Sequence, residues 1–293
     1  MRKMSISRRI FTVCNGIVFG LLSLLCVYPL WYVLIQSLSS GNAAGAALLP
    51  KNFTMENYRM VFSMDSVLHA MMISVLRTIL GTSITVSACM LLGYLFSKPN
   101  MPCRKLFYRM LVITMYVSGG LIPGYLVIKA YGLLNNFLVY ILPVTVSAYY
   151  VVLIKTYVEQ LPGSVEESAM LDGAGTLTIF AKIILPMSLP IMATIAVYAA
   201  VGQWNAWFDN HIYAMNNKKI LTLQYMLYKY LNEAERLAKE LKESTMNIDM
   251  ASVITPRGVR MTVTIVTVVP VLFVYPFLQR YFVKGIMIGA VKG

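Results

Sequence analysis

Apolar residues in this chain run in blocks too long for the alternation of a half-buried strand, and the polar residues gather between the blocks. A membrane-crossing helix needs roughly 20 apolar residues. Six stretches meet that demand, at about 11–38, 67–97, 106–129, 137–157, 187–208 and 259–281. The pattern predicts an all-α, polytopic membrane protein with six transmembrane helices, which places both termini on one side. Three short basic segments fix that side: the N-terminus with Arg2, Lys3, Arg8 and Arg9, the Lys98 to Arg109 loop, and the C-terminal stretch with Arg280, Lys284 and Lys292. None of these segments contains an acid, and such segments stay in the cytoplasm. The loop 158–186 falls on the same side, while 39–66, 130–136 and 209–258 fall outside.

Composition supports this reading. The 293 residues are 58% hydrophobic, with a mean hydropathy of +0.67, too much apolar surface for a soluble domain. The net charge of +13 comes from cations dispersed at loop edges without a nucleic-acid motif, so membrane orientation explains it better than nucleic acid. The stretch 10–38 is too long for a cleaved signal and reads as a retained span. Cys14, Cys26, Cys89 and Cys103 lack disulfide or zinc spacing, and neither His69 nor His211 has a metal-ligating neighbour in the sequence, so no metal or cofactor is expected.

Inside the spans, a few positions break the apolar pattern. Ser118 to Gly124, with Gly119, Gly120 and Pro123, interrupts the third, and irregular backbone at membrane depth is expected to face a cavity or a partner helix. Gln203 and Asn205 sit beside Trp204 and Trp207 near the outer end of the fifth, either anchoring at the headgroups or lining a polar solute path. Arg77 is the one formal charge well inside a span, facing a bundle interior or snorkelling. No Asp or Glu lies mid-span, so a proton or sodium relay has no candidate. Nor is there a phosphate loop, so energy must come from a separate ATPase. An outer helix near 225–245 carries Glu235/Lys239 and Lys239/Glu243 at i,i+4 spacing, and reads as a solvated helix or a contact for an extracytoplasmic receptor.

The loop 158–186 is the most informative segment. Ser164 precedes Glu167 by the spacing of a capping box, which predicts a short helix with Glu166 and Glu167 in its first turn, where the helix dipole favours carboxylates. Gly173 can take the positive φ that ends it. Thr176 is then placed to cap a second helix through Phe180 to Ile184, stopped by Pro186.

Glu167, Ser168, Ala169, Gly173, Ile183, Leu185 and Pro186 resemble the EAA motif of ABC importer permeases, with Ser168 the sole departure, from Ala. The resemblance implies the type I ABC importer permease fold, with this loop as the coupling helix that docks on an ATPase through Glu166, Glu167, Ser168, Ala169, Leu171, Asp172, Gly173, Ile183, Leu185 and Pro186. The branch it most resembles is the maltose-type one for complex or oligomeric sugars, on Gly119 to Pro123, on Tyr275 to Gly285, and on the tail. The tail residues Gly289, Val291, Lys292 and Gly293 are similar to an end that enters the cleft between the two ATPases, though Lys284 and Lys292 would also suit an anionic membrane surface.

The chain is thereby expected to divide into 1–66 (tail, first span and outer loop), a permease core at 67–281, and a cytoplasmic tail at 282–293. The implied assembly is a bacterial inner-membrane importer of an oligosaccharide: this non-enzymatic subunit, a homologous second permease, two ATPase subunits and an extracytoplasmic solute-binding protein. A permease for a non-sugar solute and a secondary carrier are the alternatives.

Overall fold

The computed structural model describes residues 6–40, 48–50, 52–232 and 257–273. In chain order the helices are α1 (Ile6–Ser37), α2 (Glu56–Ser63), α3 (Asp65–Ser97), α4 (Arg104–Ile113), α5 (Leu121–Ala130), α6 (Ala148–Val158), α7 (Gly163–Leu171), α8 (Thr176–Ile179), α9 (Leu185–Met187), α10 (Leu189–Asn205) and α11 (Phe208–Tyr213). Two more follow, α12 over 223–232 and α13 over 257–273. Between α8 and α9 the chain is π-helical from Phe180 to Ile184.

Among the described residues, Ile10–Ser37 and Ser66–Ser97 are each long and apolar enough to cross a membrane as single helices, and up to four spans result if two bent pairs count as one each. The expected third span, 106–129, is not a continuous helix. It breaks into α4, which ends at Ile113, and α5, whose start is set by Gly120 at φ +84°, a conformation no helix tolerates. The fourth is also bent, by 47° between Phe137–Val144 and α6, whereas the fifth is covered by the single helix α10 and a 76° bend separates it from Thr176–Met187 of the preceding loop. The sixth is described only through 273.

The chain forms two units. The first takes the described residues of Met1–Asp65 and Lys229–Val269. Its α1 turns bulky apolar side chains outward, Leu25 at 73% exposure among them, as suits a helix bathed in hydrocarbon, where no water is present to penalise them. Past the end of α1, Asn57 Nδ2 donates to the carbonyls of Ser37 (3.0 Å) and Ser39 (3.2 Å), satisfying backbone that the helix cannot. Gly258 must lack a Cβ because one would lie 2.8 Å from Asn57 Oδ1.

The second unit takes the described residues of Ser66–Tyr228 and Pro270–Gly293. Its core joins Cys89, Met90 and Tyr94 of α3 to Val151 and Ile154 of α6 and Ile195 of α10. At Gly93 the α3 backbone comes so close to α6 that an added Cβ would meet Ile154 Cγ2 at 2.5 Å. That close approach is what glycine supplies in an apolar helix.

Candidate functional site

Two clusters in the second unit carry the residues singled out in the sequence. The first is α7 and the elbow that follows. α7 begins at Gly163 with Pro162 in the N-cap position, extended at ψ 116°, so the expected capping box at Ser164 does not form. Ser164 is already inside the helix, and its side chain makes no cap bond. Proline's fixed φ sets the helix start instead. Glu166 lies in the first turn, as expected, whereas Glu167 lies beyond it. Thr176 likewise lies inside α8, behind Gly175, without a cap bond. Pro186 does not stop the second helix, since α9 runs through it to Met187 and the break comes at Ser188.

The end of α7 is sealed by its own backbone. Gly173, at φ +81°, turns the chain so that its N–H donates to Met170 O (3.0 Å) and the N–H of Ala174 donates to Ala169 O (2.9 Å). These are the paired bonds of a Schellman closure, with alanines, Ala169 and Ala174, at the two positions that are customarily apolar. Both alanines pack on the core of the unit, and Ile179 and Ile184 behind them are buried within it. Ile183 and Leu185, the positions the sequence marked, are only half-buried, and Pro186 is exposed. What projects outward is Leu171, 89% exposed, and Leu177, 78% exposed, flanked by exposed Glu167, Ser168 and Asp172.

Glu166 has a partner that sequence spacing could not reveal. Its carboxylate pairs with the Lys98 ammonium just past the end of α3. The same ammonium lies 4.6 Å from the Tyr94 ring centroid, and Tyr94 packs on Phe180 of the elbow at 5.0 Å. The segment is therefore fastened to α3 by charge and by aromatic contact.

The second cluster surrounds Arg77, whose side chain is only 2% exposed. Its Nε donates to Gln203 Oε1 (2.8 Å), Nη1 donates to Ala206 O (3.1 Å) and Asp209 Oδ1 (3.2 Å), and Nη2 pairs with the other oxygen of Asp209. The Tyr140 ring covers the guanidinium at 4.6 Å. Arg77 therefore faces inward and does not snorkel. Gln203 also donates to Tyr140 O (3.3 Å), and Gly81 makes room for it, because a Cβ there would sit 2.6 Å from Gln203 Nε2.

Beside this network is a cavity of about 300 Å³ lined by Arg77, Gln203 and Asp209 together with Ser147, Tyr150 and Tyr198. Of the expected path residues, Gln203 lines it. Asn205 is exposed and outside it, as are Gly119 and Gly120. Near Asp209, Trp207 stacks on Tyr228 at 4.1 Å and His211 Nδ1 lies 3.4 Å from the Tyr225 hydroxyl. Burial, and then Tyr228 beside it, hold that phenol above its usual pKa, so it remains an O–H at neutral pH. The tail residues Gly289, Val291, Lys292 and Gly293 and the charged pairs of 235–243 lie outside the described residues.

Broken and bent apolar helices around a cavity into which Arg77, Gln203 and Asp209 open, with an elbow fastened at one end of α3, are features of a helical membrane transport subunit. The chain belongs to the family described as binding-protein-dependent transport system inner membrane component, which matches residues 86–288. It is 33% identical over 289 residues to Protein LplC of Bacillus subtilis (strain 168), covering 97% of this chain and 96% of that one. It is also 33% identical over 283 residues to the polygalacturonan/rhamnogalacturonan transport system permease protein YtcP of the same organism, covering 94% and 97%. Among solved structures it resembles a chain of a bacterial ABC transporter involved in the import of the acidic polysaccharide alginate, with a TM-score of 0.85 and 27% identity over 96% of this chain and all of that one. The fold is thus that of a type I ABC importer permease, and the chain is a permease of an ABC import system.

Proposed function

We propose that this chain is a non-enzymatic, six-span subunit that carries an oligosaccharide across the bacterial inner membrane with both termini in the cytoplasm. It pairs with a homologous second permease, receives its cargo from an extracytoplasmic solute-binding protein and is driven by two ATPase subunits. The carbohydrate assignment is supported by its relatives, one named for polygalacturonan and rhamnogalacturonan transport and another for arabinooligosaccharides. The observation that carries the coupling role is the sealed, core-rooted elbow at Glu166 to Pro186. An ATPase moving against it pushes on a rigid body: Leu171 and Leu177 meet the partner, Gly173 fixes the angle, and the Glu166–Lys98 pair passes displacement to α3. The described cavity, with Gln203 in its wall, is this subunit's share of the path.

Gly173→Val tests the coupling role. Nothing lies within 4 Å of a Cβ at this position, so the substitution acts through the backbone alone. A β-branched residue at φ +81° is strained by about 1–2 kcal/mol or more. The chain should still insert and assemble, while sugar uptake falls at least about ten-fold, the effect of about 1.4 kcal/mol on a rate or equilibrium. Unchanged uptake and unchanged transport-stimulated ATP hydrolysis in the variant would overturn the assignment.

A further inference from the structure

We infer that the cavity beside Arg77 is a subsite for an uncharged, polyhydroxylated sugar unit, and that Asp209 is the residue that closes it to anionic sugars. The inference rests on the importer reading and names the chemistry of its substrate at this site.

A buried arginine in a transport path would ordinarily favour an anion, since its planar fork matches a carboxylate. Here the fork is already filled. A guanidinium has five N–H bonds, and four of them are engaged by Gln203, Ala206 O and both oxygens of Asp209. One face is covered by the Tyr140 ring at 4.6 Å. Asp209 thus occupies the place a ligand carboxylate would take, and the pair contributes no net charge to the cavity. An entering uronate would shed its hydration without a free cation to replace it. It would also face the remaining lone pairs of Asp209, whose side chain keeps 21% of its surface open.

A hydroxyl meets the opposite situation. The Asp209 carboxylate has about four acceptor positions, of which Arg77 takes two and the Asn210 N–H a third at 2.8 Å. The remaining one accepts from a sugar O–H. Ser147, Tyr150 and Tyr198 in the wall supply further polar groups and ring faces. The volume of about 300 Å³ is at the small end of ligand sites, about 300–1,000 Å³, and suits one sugar ring better than a long chain. Rejection by a like charge held in the wall of a site is a recognised route to specificity.

The test uses the assembled transporter in lipid nanodiscs without its solute receptor, so that receptor selection does not intervene. Equilibrium dialysis with labelled cellobiose, maltose and xylobiose, set against digalacturonate, reads the charge preference. The wild type should bind at least one neutral disaccharide about ten-fold or more tightly than digalacturonate. Gly202→Leu fills the cavity from a position where a Cβ meets nothing within 4 Å, and should remove that binding. Asp209→Asn frees the Arg77 fork and should raise digalacturonate affinity about ten-fold or more relative to the neutral sugars. Should Asp209→Asn fail to assemble, Gly202→Leu decides alone. Equal binding of digalacturonate by the wild type, no binding of any neutral sugar, or neutral binding that survives Gly202→Leu each overturns the proposal. Failure of the wild-type chain to capture an ATPase would instead sink the importer reading. Capture of the ATPase without a neutral preference sinks only this inference.

Discussion

α3 carries one paired cation well inside it, Arg77, and a second just past its C-terminal end, Lys98, each matched by a carboxylate from far along the chain, and the two pairs are built differently. Lys98 and Glu166 keep 22% and 16% of their side-chain surface, so either partner can turn to water if the other moves. Arg77 keeps 2% and has no such exit. At about 1.5 Å per residue the pairs stand about 30 Å apart on one helix. The Lys98–Glu166 pair can part and re-form at little cost. Arg77 must stay paired, because an unpartnered buried charge is among the most expensive things a fold can hold. The same ionic chemistry thus makes a yielding joint past the C-terminal end of α3 and a fixed one within the helix.

This contrast can be broken in graded steps. The largest effect is expected from Arg77→Met, which leaves Asp209 without its cation and Gln203 Oε1 without its donor. Thermal melting of the purified chain should show a loss of about 3–5 kcal/mol, and a loss under about 1 kcal/mol would mean that the Arg77 pair is no more fixed than the other. Between the two pairs, Gly93→Val forces α3 off Ile154 and should cost about 1–3 kcal/mol by overpacking, read by the same melt. The smallest change is Glu166→Gln, at about 1 kcal/mol for a partly exposed pair. Its mark should be weaker transport-stimulated ATP hydrolysis, with Glu167→Gln beside it nearly silent in the melt. If Glu167→Gln proves the more damaging to stability, the joint has been placed on the wrong carboxylate.

The elbow was legible in the sequence because its signals are local. Glycine at 173 between an acidic helix start and an Ile-Ile-Leu-Pro run states a turn and its neighbours within a few residues of chain. The details that failed were contests between neighbours. Ser164 carries a good cap side chain, but Pro162 had already set the helix start, and Thr176 lost the same contest to Gly175. The break in the expected third span was visible as Ser118 to Gly124, yet its extent was not, since the positive-φ Gly120 marks the start of α5 while α4 has already ended at Ile113. Asp209 was hidden for a different reason. It lies well over a hundred residues from Arg77, and nothing in the spacing of charges within a span names a partner supplied by another helix. Sequence reading marked Arg77 as unusual, and only packing shows that its charge is neutralised.

The 76° bend at Ser188, between Thr176–Met187 and Leu189–Asn205, gives the unit the geometry of a bell crank. Thrust delivered along the first arm reaches the second mostly as a sideways swing. A small axial stroke at the elbow would therefore widen or narrow the space beside the far arm, with no need for either arm to lengthen or unwind.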